Sequence, residues 1–244
     1  MFIGDWHLQE YDIVTSTNDI SMELSSNPPA SKYLITAKEQ TAGRGRRGRS
    51  WQSLKGNLFA SFALQGNSNL LNILPFIFSL SLFDSIKDYA HQADIDIKLK
   101  WPNDVLINGC KVSGILLEKA DNNYIICGIG VNLALSPQDI KTLYPTISLT
   151  ECGINVKTHI FLETYVKHLD DYLAKCLTYG SNEILKCWLD NAHQIGEKIT
   201  VRMENTFKEG LFAGLDTDGA LLLSENGKIV RIYAGDVFID GKNK

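Results

Sequence analysis

The chain has 244 residues, 44% of them apolar, a composition that builds a packed core and excludes disorder as the main state. Its formal charge of -4 makes the molecule as a whole repel nucleic acid and anionic membranes, so any basic site must be local. Five cysteines without a CxxC pair argue against a zinc or dithiol redox motif, and the absence of a signal-like N-terminus or an unbroken apolar span points to a cytoplasmic protein.

In chain order, Ser16 and Thr17 cap a helix expected over Thr17–Ser25. Strand-like runs follow at Tyr33–Glu39 and Asn57–Leu64, then a helix at Ile73–His91, then strands at Ile97–Trp101, Asp104–Ile107, Lys111–Glu118 and Tyr124–Leu133. Helical periodicity returns over Thr158–Leu177 and Asn182–Asn191. Grouped strands with helices between them predict an α+β fold: a mostly antiparallel, mixed central sheet with helices packed against it. Beyond residue 195 come five short strands, Lys198–Met203, Lys208–Leu215, Ala220–Leu223, Ile229–Tyr233 and Val237–Asp240. They predict a small β-barrel that leans on the main body, because a unit of about fifty residues is marginal by itself. The expected division is therefore 1–194 and 195–244.

The most informative segment is Gly43–Trp51, GRGRRGRSW, with four arginines in six positions separated by glycines. Its glycines match GxGxxG, yet no apolar-periodic helix follows, nor an acidic residue at the spacing that a dinucleotide site requires. Glycine-spaced arginines instead suit a loop that wraps a polyanion with guanidinium forks and backbone N–H groups. A phosphate-handling loop, a nucleic-acid contact and a solvated surface loop all fit that composition.

Asn108-Gly109 is a two-residue hairpin signal between Asp104–Ile107 and Cys110–Lys111. With Ile107 opposite Cys110, Leu106 faces Lys111 and Asp104 faces Ser113, which puts Val105, Ile107, Cys110 and Val112 on one side and Asp104, Leu106, Lys111 and Ser113 on the other. A charged site and an ordinary solvated Lys–Asp pair are both compatible with that pattern. In the next strand Ile125, Cys127, Ile129, Val131 and Leu133 alternate with Gly128, Gly130 and Asn132, and the glycines would let a ligand approach the backbone.

Five ordered blocks carry a resemblance: Ser16-Thr17-Asn18, GRGRRGRSW at Gly43–Trp51, KWPND at Lys100–Asp104, KVSGILLE at Lys111–Glu118 and GIGVNL at Gly128–Leu133. Together they resemble the biotin–protein ligases, and Gly214–Leu223 is similar to that family's C-terminal SH3-like barrel. Some members carry a winged-helix DNA-binding domain ahead of the Ser-Thr-Asn block; with that block at residue 16, a short monofunctional form without one is expected.

The resemblance implies that biotin and ATP form biotinyl-5'-AMP, and that the acyl group then passes to a lysine of a biotin carboxyl carrier protein of the acetyl-CoA carboxylase type. ATP with Mg²⁺ is the expected co-substrate; no tightly bound prosthetic group and no metal ligands are assigned, and a homodimer is possible. The biotin site is expected at Ser16, Thr17, Asn18, Gln40, Gly43, Arg44, Trp51, Lys111, Gly114 and Leu116. Nucleotide contacts are expected from Arg46, Arg47, Arg49, Trp51, Asn103, Lys111 and Asn132. Lys111, Arg44, Arg46, Arg47 and Arg49 would supply charge to the reaction, and Asp104 would orient or deprotonate the acceptor amine or serve a structural or metal role. Ser16 and Thr17 also fit a helix cap, Gln40 a loop surface and Trp51 a core anchor. The match is weakest over Ser136–Thr150, where the family has a loop over the nucleotide. The alternatives are a lipoate ligase, related in fold and chemistry, and an arginine-loop nucleic-acid-binding regulator.

Overall fold

A computed structural model describes residues 1–239 apart from 67, 92, 121, 139–144, 194 and 205, so the expected strand end at Asp240 and the middle of the Ser136–Thr150 segment lie outside the described residues. The elements in order are β1 (Phe2–Ile3), β2 (Trp6–Val14), α1 (Thr17–Leu24), β3 (Lys32–Gln40), β4 (Leu58–Gln65), α2 (Ser68–Tyr89), β5 (Ile97–Lys100), β6 (Asp104–Ile107), β7 (Cys110–Lys119) and β8 (Tyr124–Val131). They continue as α3 (Thr158–Tyr179), α4 (Ser181–Asp190), β9 (Lys198–Arg202), β10 (Phe207–Leu215), β11 (Leu221–Glu225), β12 (Lys228–Ile232) and β13 (Asp236–Ile239).

The first eight strands form one sheet in the order β1-β2-β3-β4-β8-β7-β6-β5, with β2 and β3 parallel and every other pair antiparallel. This is the expected mixed, mostly antiparallel sheet. The last five strands form a second, antiparallel sheet in the order β12-β11-β10-β9-β13, whose edges are β12 and β13.

Period-two alternation decides which side of the sheet is core. Leu58, Ala60, Phe62 and Leu64 of β4 and Ile125, Cys127, Ile129 and Val131 of β8 join the cluster built with α2, α3 and α4. Within it Phe62 makes edge-on contacts with Trp6, Phe78 and Tyr165 at centroid separations of 5.0, 5.6 and 5.4 Å, each worth about 0.5–1.5 kcal/mol beyond burial. Helix α2 is long and apolar enough to cross a membrane by composition, but most of it is buried in this cluster. The opposite face is covered in part by α1, whose Ile20, Met22 and Leu24 pack on Tyr33, Ile35, Tyr124 and Ile126.

Two expectations are corrected, and one strand was not expected at all. Strand β2 escaped the sequence reading because its alternation is diluted by polar residues: Trp6, Leu8 and Val14 are buried, while Glu10 and Asp12 are exposed. Helix α2 begins at Ser68, ahead of the expected Ile73, and carries Pro75 inside it. The Asn108-Gly109 turn forms with positive φ at both residues and pairs Ile107 with Cys110 and Leu106 with Lys111, as expected. Beyond that the register shifts, so Ser113 faces Val105 and not Asp104. The extra residue, Val112, is a bulge, and Asp104 pairs instead with Lys100 of β5.

Candidate active site

A cavity of about 370 Å³ opens on the face that the three packed helices leave free. Gly128 and Gly130 point into it because their neighbours Cys127, Ile129 and Val131 point into the core.

One end of the cavity is a hydrogen-bonded polar floor. Ser16 caps α1 by accepting from the Asn18 N–H, and it places Thr17 and Asn18 at the helix start. The Thr17 N–H donates to Gln40 Oε1 at 2.9 Å, and the Ser61 hydroxyl lies 2.7 Å from Thr17 Oγ1 and 2.5 Å from Asn18 Oδ1. Asn18 donates to Glu118 at 2.6 Å, and Arg44 is held by Asp19 at 2.6 Å and by Glu118 at 3.4 Å. Buried groups so connected are preorganised for a polar ligand.

The other end is cationic. Lys111 lies 2.6 Å from Asp104 Oδ1, and Lys100 lies 2.9 Å from Asp104 Oδ2. Burial alone would raise the Asp104 carboxyl, but the charges of Lys100 and Lys111 and their hydrogen bonds outweigh it and hold the group far below the usual carboxylate range. Burial lowers the Lys100 pKa, Asp104 opposes that shift and Lys111 adds to it. The arginine segment folds back on itself through Gly45 N–H to Arg49 O at 2.7 Å and Trp51 N–H to Gly43 O at 2.9 Å. Arg46 donates to Asn103 at 3.1 Å, and Arg47 and Arg49 donate to Asp236 at 3.2 and 3.0 Å. Burial lowers the Arg46 pKa, Asp104 and Asp236 counter it, and the neighbouring Arg47 and Arg49 reinforce it.

The glycine face serves the protein's own side chains first. A methyl on Gly130 would lie 2.6 Å from Cζ2 and Nε1 of Trp51, and one on Gly114 would lie 2.9 Å from its Cζ3. A methyl on Gly128 would collide with the Asn18 carboxamide. The Trp51 indole thus packs against the backbone of both β7 and β8, with its N–H buried and unbonded.

Of the residues singled out from the sequence, Ser16, Thr17, Asn18, Gln40, Arg44, Arg46, Arg49, Trp51, Asp104, Lys111, Gly114, Leu116 and Asn132 all line this cavity. Gly43, Arg47 and Asn103 sit behind its wall: Gly43 is pressed against the Trp51 carbonyl and Gln40, Arg47 reaches Asp236, and Asn103 bridges Arg46 to the Ile115 carbonyl. Sequence reasoning missed Lys100, Ser61, Glu118 and Asp236. Lys100 belongs to a recognised block, but Asp236 carries no local signal, being 187 residues from Arg49. Among the described residues no group of three or more His, Cys, Asp or Glu side chains is placed to hold a metal ion.

Residues 11–132 match the Biotin/lipoate A/B protein ligase family, and residues 194–240 match the Biotin protein ligase C terminal domain. A biotin–[acetyl-CoA-carboxylase] ligase of Paracoccus denitrificans is 36% identical, with 93% of this chain and 98% of that protein covered. The bifunctional ligase/repressor BirA of Bacillus subtilis is 34% identical over 95% of this chain and 73% of its own length. Among solved structures, the biotin protein ligase from Aquifex aeolicus in complex with biotin and ATP superposes with a TM-score of 0.81 at 29% identity, covering 95% of this chain and 97% of that one.

Proposed function

The chain belongs to the biotin/lipoate A/B protein ligase family, and from that premise we propose how its residues divide the work. It is an ATP-dependent biotin ligase, with biotin and ATP as its small substrates. The acceptor is taken to be a lysine of a biotin carboxyl carrier protein of the acetyl-CoA carboxylase type, and the setting the cytoplasm, where the five cysteines stay free. Residues 1–194 are read as the catalytic domain and 195–244 as the small C-terminal domain.

The observation that carries the residue roles is convergence: Lys111 and Arg44, Arg46 and Arg49 of the loop line one cavity with the polar floor of Ser16, Thr17 and Gln40. In the first half-reaction a biotin carboxylate oxygen attacks the α-phosphorus of ATP and pyrophosphate leaves. Two anions meeting at about 4 Å repel by roughly 4 kcal/mol at an effective dielectric of 20, so the site must supply cations. Lys111 is the point charge for the carboxylate and α-phosphate, and the arginines screen the remaining phosphates, with Mg²⁺ entering as part of the MgATP substrate. The floor at Thr17, Asn18, Gln40 and Ser61 suits the ureido group of biotin. Trp51 offers an aromatic face to the ligand, and Asn132 a carboxamide to the nucleotide. In the second half-reaction the acceptor amine attacks the acyl carbon and AMP leaves. No protein nucleophile is needed, because the substrate carboxylate forms the mixed anhydride itself.

The test is to incubate the protein with MgATP, biotin and a carrier domain and to look for biotin on the carrier lysine. Pyrophosphate exchange into ATP should depend on biotin and not on lipoate; exchange driven by lipoate overturns the substrate assignment.

A further inference from the structure

Asp236 belongs to the second sheet, yet its carboxylate lies in the wall of the catalytic cavity and is only 6% exposed. Arg47 Nη1 donates to its Oδ2 at 3.2 Å and Arg49 Nη2 to its Oδ1 at 3.0 Å. The loop that carries these arginines has reason to need an outside hold. Its backbone bonds, Gly45 to Arg49 and Trp51 to Gly43, fix its own shape but not its place over the cavity. Arg47 sits in the left-handed region at φ 57, and three guanidinium groups, those of Arg46, Arg47 and Arg49, crowd one turn. Arg44 is anchored by Asp19 and Glu118 and Arg46 by Asn103, all from the first sheet and its helix; the remaining two arginines share this one carboxylate of the second sheet.

We propose that Asp236 is a positioning residue: by holding Arg47 and Arg49 it keeps the arginine loop closed over the cavity, so that the C-terminal sheet is a working part of the active site. The inference rests on the reading of the cavity as the site of adenylate formation. Because Asp236 is itself an anion in the cavity wall, it aids loop closure while it opposes phosphate. The two effects oppose each other on substitution: losing the carboxylate should free the loop, while removal of a like charge beside the phosphates offsets the looser hold on Arg49 in ATP binding.

The experiment compares the full chain with Asp236→Asn and Asp236→Glu. Trypsin reports loop closure without reference to activity, since it cleaves after Arg44, Arg46, Arg47 and Arg49. We expect cleavage within the loop to rise roughly tenfold in Asp236→Asn, as fits the loss of two charge-assisted hydrogen bonds, and to stay near the parent rate in Asp236→Glu. With biotin and MgATP but no carrier, Asp236→Asn should label a bystander such as serum albumin about tenfold faster, with no rise in KM for ATP. A merely structural role would raise KM and lower kcat together. Parent-like trypsin resistance and bystander labelling in Asp236→Asn would overturn the proposal. If that variant loses its cooperative melt, Arg47→Lys, which keeps the charge and the trypsin site but gives up the guanidinium bond to Asp236 from a partly exposed side chain, takes its place in the trypsin and bystander readouts. A parent protein that makes no adenylate defeats the functional reading, whereas the trypsin comparison still decides the clamp.

Discussion

The ammonium of Lys111 and the carboxylate of Asp104 are 2.6 Å apart, and Lys100 takes the carboxylate's other oxygen at 2.9 Å. Two cations share one anion, and exposure grades along the row: the side chains of Lys100, Asp104 and Lys111 are 2%, 11% and 23% exposed. Lys111 therefore turns the largest face of the three to incoming substrate, although all three line the cavity. A carboxylate so stabilised as the anion is a weak base, which favours Asp104 as the group that aims Lys111 and orients the acceptor amine over one that removes its proton.

Asp104→Asn should cost about 3 kcal/mol of stability, because it removes the paired carboxylate from the buried Lys100 ammonium beside Lys111 and leaves Asp236 as the remaining opposing charge. Adding Lys100→Met to Asp104→Asn should return most of that loss, since the stranded charge is then gone. Urea unfolding of the two single variants and the double variant measures this. Additive losses would show that the triad is not energetically coupled.

Stability against pH gives a second check on Lys100. Its folded pKa is lowered by burial, with Lys111 adding and Asp104 opposing, while the unfolded chain titrates near the ordinary lysine value of 10.5. Between those two values the unfolded state holds more protons, so stability from this residue rises as pH increases through the window. The stability of the parent minus that of Lys100→Met should therefore increase with pH on the alkaline side, up to the ordinary lysine value of 10.5. A difference that stays flat, or falls, contradicts the buried-cation assignment.

Much of this site is written in local patterns. The Ser16 cap, the Asn108-Gly109 turn and the alternation of Gly128, Gly130 and Asn132 with core residues are short-range rules, and each is realised. What failed was non-local. A single bulge at Val112 undid the predicted Asp104–Ser113 pairing, because one inserted residue changes every partner beyond it. The glycine face looked like space for a ligand, and the structure fills part of it with Trp51 and Asn18, whose approach no spacing reveals. Asp236 reads as an ordinary acidic residue at a strand start until the fold carries it to Arg47 and Arg49.

Gly130→Ala tests the Trp51 contact directly. The added methyl would collide with the indole, with Cε2 nearest and Cζ2 and Nε1 at 2.6 Å, and Gly130 lies in a central strand paired on both sides, so the ring must move. Overpacking of this kind costs about 1–3 kcal/mol, which for a chain of this size lowers Tm by about 2–4 °C per kcal/mol. Adenylation, read by pyrophosphate exchange, should lose about tenfold in kcat/KM as the displaced indole disturbs the cavity. Parent-like kinetics with a shifted Trp emission would remove Trp51 from the site.

Arg46→Gly separates making the adenylate from keeping it. Arg46 is the loop arginine bonded to Asn103 of the KWPND block, at 3.1 Å, and it is mostly withdrawn from water, with Asp104 and Asp236 as its counter-charges. Removing it deletes the charge proposed to screen phosphate and cuts the tie between the loop and the β5–β6 turn. Lys111 with its partner Asp104 is left in place. The chemistry of the first step should then persist at reduced rate, while the anhydride escapes and acylates lysines at random. Incubation with biotin, MgATP, carrier and a bystander protein, followed by counting biotin on each, gives the ratio that matters. A ratio shifted towards the bystander supports the loop as a seal; unchanged selectivity with lower activity would mean that Arg46 contributes charge alone, and that closure is held by the remaining anchors.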